Sequence, residues 1–333
     1  MPLVSDVCLH GSVYSRVSLL TFDFRLRRGS FRMHRAHRTL MTRALMGLED
    51  AISVTIVHPT WQKTRPDKDE HSGWIFGDPD GKPLKNSAGN GGPFPAAFPN
   101  NEPDPFVGAK SIREVYEAAG DKDGKYSVPI LWDKKKKTVV SNESSEIIRM
   151  LNKEFKQFAK NPDLDLRPDD MVEAIDSVNE WIYPTINNGV YRCGFAKSQK
   201  AYDTAITELT ESFDRIDSIL QNQRFIAGDR FTEADIRLFV TLLRFDEVYV
   251  VYFKTNTRSV ANTPAILNYC REIYQMPGVA ETVSMEQIKY HYYTSHPNLN
   301  YYSIVPRGAN FEELLKQPHD RDSIGSNKRQ KVE

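Results

Sequence analysis

Cysteine is scarce in this sequence. Three residues, Cys8, Cys193 and Cys270, are spread along 333 positions. Their spacing matches no metal-binding pair, and an odd, scattered set builds no disulfide framework. A reducing compartment such as the cytoplasm suits such a chain. Net charge is missing too: Lys and Arg total 44, and Asp and Glu total 44. Nothing global therefore points to nucleic acid or an anionic membrane as partner. No apolar run approaches the roughly 18 residues that a membrane span needs. What is present is a hydrophobic share of 40%, enough for a sizeable core and against wholesale disorder. The length suits two domains.

Acidic residues are sparse at the start of the chain. Arg16, Arg25, Arg27, Arg28, Arg32, Arg35, Arg38 and Arg43 are set against only Asp6 and Asp23. Arg-rich, acid-poor starts occur in organelle transit peptides, but no clean amphipathic helix precedes Arg25. Residues 1–35 read instead as a loosely attached leader.

After that leader, "HRTLMTRALMGLED" carries apolar residues at roughly helical spacing and has Gly47 near its end, which predicts a helix and its stop. "AISVTIVHP" is a β-branched run ended by Pro59, a strand pattern. Residues 60–108 are rich in Pro, Gly, Asn and Asp. A loop of that length is usually a functional lid or disordered, and Trp61 and Trp74 argue that it is partly anchored. "KSIREVYEAAG" predicts a short helix, Val128 to Trp132 a strand, and Lys137 to Val140 its hairpin partner across a lysine-rich turn. Ser141 or Asn142 is expected to cap a helix running to about Phe155. From residue 166 the pattern is almost entirely helical, and Thr232 with Asp235 has the spacing of a capping box. The expected organisation is an α/β domain over 36–157 with the 60–108 loop inserted, an all-helical domain over 166–312, and a disordered polar tail over 313–333.

"SVPIL" places Pro129 inside an apolar strand, where a ladder needs the amide that proline lacks. A cis bond there would turn the backbone of Val128 toward an extended ligand. "SNES" then opens a helix whose free amides and positive end suit a carboxylate. Glu143 would hold an ammonium group and Ser144 a carboxylate, as a peptide-like ligand such as glutathione requires. The same letters also fit a capped helix after a bulged edge strand.

The arrangement resembles the glutathione transferases, and in detail their Xi class, the glutathionyl-hydroquinone reductases. The matching stretches are "AHRTL", "GLEDAISVTIVHP", "SGWIF", "VPILWDKKKKTVVSNESSEIIRMLN", "WIYPTINNGVYRCGFA", "FIAGDRFTEADIRLF" and "IKYHYYTSHPNLN", in order from Ala36 to Asn300. The resemblance implies a thioredoxin-like domain before an all-α glutathione-transferase domain, glutathione as co-substrate, no metal, and a homodimer. It implies that Trp74, Lys125, Val128, Glu143 and Ser144 bind glutathione. Lys125 stands where the family tends to have arginine. Tyr183 and Tyr292 would line the site for a quinone-like aromatic acceptor, although "YHYY" also fits ordinary packing at the end of a helix.

One part of the resemblance fails. The family's reaction needs a cysteine just before the first helix, where the positive helix end favours its thiolate. That thiolate attacks the thioether sulfur of a glutathionyl-hydroquinone, releases hydroquinone and becomes a mixed disulfide, which a second glutathione resolves. The family reads Cys-Pro-Trp-Ala-His-Arg-Thr-Leu, and this chain reads "MHRAHRTL", with Met33, His34 and Arg35 in the first three places. A thioether has no proton to lose and forms no mixed disulfide. Cys8 would substitute only if the leader folded back. Ser30 or Tyr14 are weak candidates for activating glutathione's own thiol, as in a conjugating transferase. A protein that binds glutathione or an aromatic ligand without turnover is the rival from another class. The mismatch spans "LLTFDFRLRRGSFRMHR", short, basic and poorly strand-like beyond "LLTFDF", and ends abruptly at Ala36. Such a sharp edge suggests a splice or reading-frame difference, or a decayed copy, and resequencing the transcript tests it.

Overall fold

A computed structural model describes residues 17–21, 34–121 and 123–324. The first layer is a four-stranded sheet. It begins with β1 (Val17–Thr21), crosses over through α1 (His34–Met46) and returns as β2 (Ser53–Ile56), parallel to β1. The 60–108 segment carries a small hairpin, β3 (Gln62–Lys63) with β4 (Ser72–Gly73). Then come α2 (Ile112–Ala118), the antiparallel pair β5 (Ile130–Asp133) and β6 (Thr138–Ser141), and α3 (Ser144–Lys153). The sheet order is β2-β1-β5-β6, with β1 antiparallel to β5. This is the thioredoxin-like pattern.

β1 corrects two expectations. It starts two residues before "LLTFDF", and it places part of the expected leader at the centre of the sheet. The physical reason is pairing: without β1, β2 and β5 would each leave an edge of unpaired backbone groups in the middle of the layer. Alternation along β5 then sorts the two faces. Ile130 and Trp132 join a cluster with Trp61, Trp74, Val115 and Tyr116 on the α2 side. Leu131 joins Met41 and Leu45 of α1 and Ile147 and Leu151 of α3 in a core that runs on into the helical domain. Gly47 ends α1 at φ +65, a left-handed position that favours glycine. A Cβ there would also lie 2.6 Å from Cβ of Lys160.

The second layer is helical: α4 (Val172–Ile182), α5 (Gly189–Gly194), α6 (Gln199–Leu220), α7 (Glu233–Arg244), α8 (Val250–Tyr252), α9 (Pro264–Tyr274), α10 (Met285–Thr294) and α11 (Phe311–Leu315). A π-helical turn, Tyr183–Asn187, links α4 toward α5, and another, Phe245–Tyr249, carries α7 into α8. α6 buries Ala205, Leu209, Phe213, Ile216 and Leu220, the three- and four-residue spacing of a single stripe. α7 is buried along nearly its whole length and forms the centre. No described helix is long and apolar enough to cross a membrane.

The two layers are joined by specific contacts. Arg149 of α3 grips the buried carboxylate of Glu233 at the start of α7 through Nε (3.0 Å) and Nη2 (2.7 Å). His37 of α1 meets Thr282 at 2.9 Å and Arg244 at 3.1 Å. The 60–108 segment is a strap rather than a free loop. Asn86 donates to Ser303 Oγ at 2.8 Å, and Asn101 donates to the Val57 carbonyl at 3.3 Å and to Gln287 at 3.2 Å.

The expected tail is also corrected, as far as residue 324. Phe311 and Leu315 are buried. The Arg321 side chain, 1% exposed, donates to the carbonyls of Leu220 (2.7 Å) and Gln223 (2.8 Å) and is therefore part of the helical core's wall.

Candidate functional site

The site grows from the start of α3. The Val128–Pro129 bond ahead of β5 is cis. Tyr116 of α2 ties together the chain on either side of the β5–β6 hairpin: its hydroxyl donates to the Ser127 carbonyl at 2.7 Å and accepts from Asn142 at 2.9 Å. Burial pushes the Tyr116 phenol up to about 12, so it keeps its proton. Ser141 Oγ accepts from the Glu143 amide at 3.1 Å and donates to Glu146 at 2.9 Å.

The residue that caps α3 is Glu143, not Ser141 or Asn142. Both expected caps are engaged elsewhere, Ser141 one step too early and Asn142 on Tyr116. Glu143 makes no cap hydrogen bond with its side chain. Its carboxylate instead turns outward, 45% exposed, and accepts from Nη1 of Arg35 at 2.9 and 2.8 Å. Arg35 lies in the first turn of α1, so the starts of two helices meet at one ion pair. Ser144, the first residue of α3, is buried at the same place. Of the first-turn amides, that of Glu146 donates to the Glu143 carbonyl at 3.0 Å, while those of Ser144 and Ser145 have no backbone acceptor within the helix; together they carry the positive end of its dipole. Lys125 is exposed on the loop before Val128.

Trp74 and Tyr292 do not stand open beside this corner. Trp74 is 1% exposed and stacks on His291 with ring centres 4.4 Å apart. Tyr292 is fully buried, its hydroxyl 2.8 Å from that of Tyr191 and 2.5 Å from that of Tyr249. Both were expected at the ligand's surface. The Trp74 ring packs across the seam between the layers, and the Tyr292 ring is enclosed by Tyr191, Tyr249 and Phe253 within the helical layer; a large flat side chain gains most by being covered on both faces. Tyr183, at the start of its π-helical turn, is half-buried and keeps open surface. Thr232 and Asp235 form a complete capping box on α7.

The seam also holds three buried histidines. Burial and then Arg244 hold His37 well below the ordinary imidazole range. His291 is lowered by burial, then by His296 and Arg244, and His296 is pushed down to about 4 by burial. Arg244 donates to Nδ1 of His37, so the neutral ring has its proton on Nε2, facing Thr282.

Both described thiols are shut away. Cys193 is 2% exposed, and burial pushes its thiol up to about 12. Cys270 is fully buried and raised further by burial. Neither supplies a thiolate near neutral pH. Met33, Cys8, Tyr14 and Ser30 lie outside the described residues. Among the described residues no group of three His, Cys, Asp or Glu side chains is placed to hold a metal ion.

The residues that motif reading overlooked are Arg35 as partner of Glu143, and Tyr191 and Tyr249 around Tyr292. Tyr191 lies in "GVYRCG", a stretch whose motif value was plain from its letters. Arg35 and Tyr249 gave no local sign, because their partners are distant in sequence.

Three comparisons bear on this geometry. The pattern "Glutathione S-transferase, N-terminal domain" matches residues 32–154, and "Glutathione S-transferase, C-terminal domain" matches residues 199–272. The glutathionyl-hydroquinone reductase YqjG of Escherichia coli strain K12 is 40% identical over 288 residues, covering 86% of this chain and 79% of that protein. The glutathione-bound structure of YqjG superposes with a TM-score of 0.77, covering 93% of this chain and 89% of the other. A Xi class transferase from Natrialba magadii gives a TM-score of 0.80 at 38% identity, covering 96% and 86%.

Proposed function

The chain belongs to the glutathione transferases, in the Xi class that includes the glutathionyl-hydroquinone reductases, and from that premise we propose that it binds glutathione at the start of α3 without carrying out the reductive step itself. The class activity is glutathione-dependent reduction and transfer, with glutathione as co-substrate. The observation that carries the binding half is the outward-turned carboxylate of Glu143 over the buried start of α3, next to the cis bond at Pro129. In this reading Val128 offers its backbone to the extended peptide and Ser144 with the first-turn amides receives a carboxylate. Lys125 lies within the same chain segment and adds positive charge. Trp74, buried and stacked on His291, has no part in touching the ligand in this reading.

The observation that carries the second half is chemical. The position ahead of α1 holds the thioether of Met33, and the described thiols, Cys193 and Cys270, are buried and protonated. No nucleophile in this set can take glutathione from a glutathionyl-hydroquinone. An aromatic ligand would meet Tyr183 first, with Tyr292 acting only through the hydroxyl cluster behind it. A cytoplasmic homodimer completes the reading, and sedimentation equilibrium tests the dimer.

Calorimetric titration with glutathione tests the binding half: one saturable site per chain is expected, and an absence of binding at millimolar ligand would refute it. Intact mass after incubation with oxidised glutathione tests the other half. No covalent adduct is expected, whereas an adduct mapped to Cys8 would make that residue the nucleophile.

A further inference from the structure

The Arg35–Glu143 pair bears on which ligands this corner prefers. Nη1 of Arg35 lies 2.9 and 2.8 Å from the two oxygens of Glu143. The arginine side chain is 11% exposed and the glutamate 45%. Nε of Arg35 is buried and has no hydrogen-bond partner among the described residues. The pair therefore has one satisfied face, on the carboxylate, and a spare donor on the guanidinium. Resting on the glutathione reading above, we propose that Arg35 is a built-in competitor for the ligand's ammonium group, so that the site discriminates weakly for a free amine and accepts peptide-like dianions that lack one.

The argument is electrostatic. A ligand ammonium and the Arg35 guanidinium seek the same two oxygens. Once one cation is seated, a second gains less from the carboxylate and is repelled by the first. The guanidinium is also tethered on the first turn of α1, so it returns to Glu143 at high effective concentration whenever the ligand leaves it. A ligand without an amine disturbs nothing: Glu143 stays paired, and the ligand's carboxylates face the start of α3. Tryptophan, the residue the family pattern has at this position, carries no charge and could not compete in this way.

The test uses glutathione and glutaryl-cysteinyl-glycine, which is glutathione without its amine. Calorimetry would measure both on the parent chain, Arg35→Ala, Glu143→Gln and the double variant. In the parent, the two ligands are expected to bind within about twofold of each other. Arg35→Ala should tighten glutathione by up to about fivefold, the range for a partly exposed ion pair, and leave the glutaryl ligand unchanged or weaker. Glu143→Gln in the Arg35→Ala background should abolish that gain, since the oxygens the two cations compete for are then neutral. That coupling is what a merely structural arginine would lack. A parent that already prefers glutathione tenfold, or a ligand ratio unmoved by Arg35→Ala, overturns the proposal while leaving the glutathione site in place. If neither ligand binds any of the four proteins, the glutathione reading falls and this proposal falls with it.

Discussion

Two helices in this molecule begin with an acidic residue near the cap, and they use it in opposite ways. At α7 the carboxylate of Asp235 turns inward. It accepts from the amides of Ile226 and Thr232, each at 2.8 Å, and from the Tyr269 hydroxyl at 2.9 Å. It is fully buried. At α3 the carboxylate of Glu143 turns outward, makes no cap hydrogen bond, and pairs with the side chain of Arg35. The closed start is a fastening for the helical core. The open start leaves a carboxylate half exposed beside the buried first residue of the helix. A helix start with every group satisfied belongs to the fold, and one left half satisfied marks where a ligand is to be sought.

Breaking the closed start should do the greatest damage to the fold. Asp235→Ala leaves two amides and a phenol without an acceptor in the core and is expected to lower stability by about 3 kcal/mol, read from urea unfolding. The glutathione affinity of the fraction that remains folded should not change. Next in size is acid. His37, His291 and His296 have folded pKa values below the ordinary 6.5 because of burial. Below that pH the unfolded chain takes up protons that the folded one refuses, so their contribution is whole above about 6.5 and is lost as pH falls, for His296 down to about 4. Each loses up to about 1.4 kcal/mol per pH unit within its window. Unfolding midpoints measured from pH 7 to pH 5 should fall, and a His296→Asn variant should flatten the slope. Thr232→Ala, which removes one cap bond from the closed start, should cost about 1 kcal/mol. Smallest of all, Glu143→Ala should change stability by less than about 1 kcal/mol, since its carboxylate is 45% exposed and caps no helix amide. A loss at Glu143 as large as at Asp235 would erase the distinction between the two starts.

How far these features were legible in the sequence follows from the range of the forces involved. Helices α1, α2, α6 and α7 were readable because spacing, caps and stops are local signals, and Thr232 with Asp235 is a three-residue pattern. β1 was obscured by its basic flanks, since what places it is pairing with β2 and β5, not its own letters. The cap of α3 was misassigned by one or two residues because Asn142 is engaged by a tertiary partner, Tyr116, and Ser141 by the Glu143 amide and the Glu146 carboxylate. The burial of Trp74 and Tyr292 was not readable from their motifs. That of Trp74 depends on His291, which the docking of the two layers brings near, and that of Tyr292 on Tyr191 and Tyr249, which lie far from it in sequence on other helical turns of its own layer. The ordered stretch around Arg321 had the composition of a tail, and its fixed place comes from carbonyls at the end of α6.

We propose, then, that this chain keeps the binding corner of its class and lacks the thiol that acts beside it. The most direct measurement is a single-turnover reaction of the purified chain with a glutathionyl-hydroquinone and excess glutathione, run beside Met33→Cys. No hydroquinone release by the parent is expected above that with glutathione alone, and Met33→Cys should gain at least about a thousandfold, as restoring a nucleophile implies. A parent that releases hydroquinone as fast as Met33→Cys would show that the chain has a competent nucleophile after all.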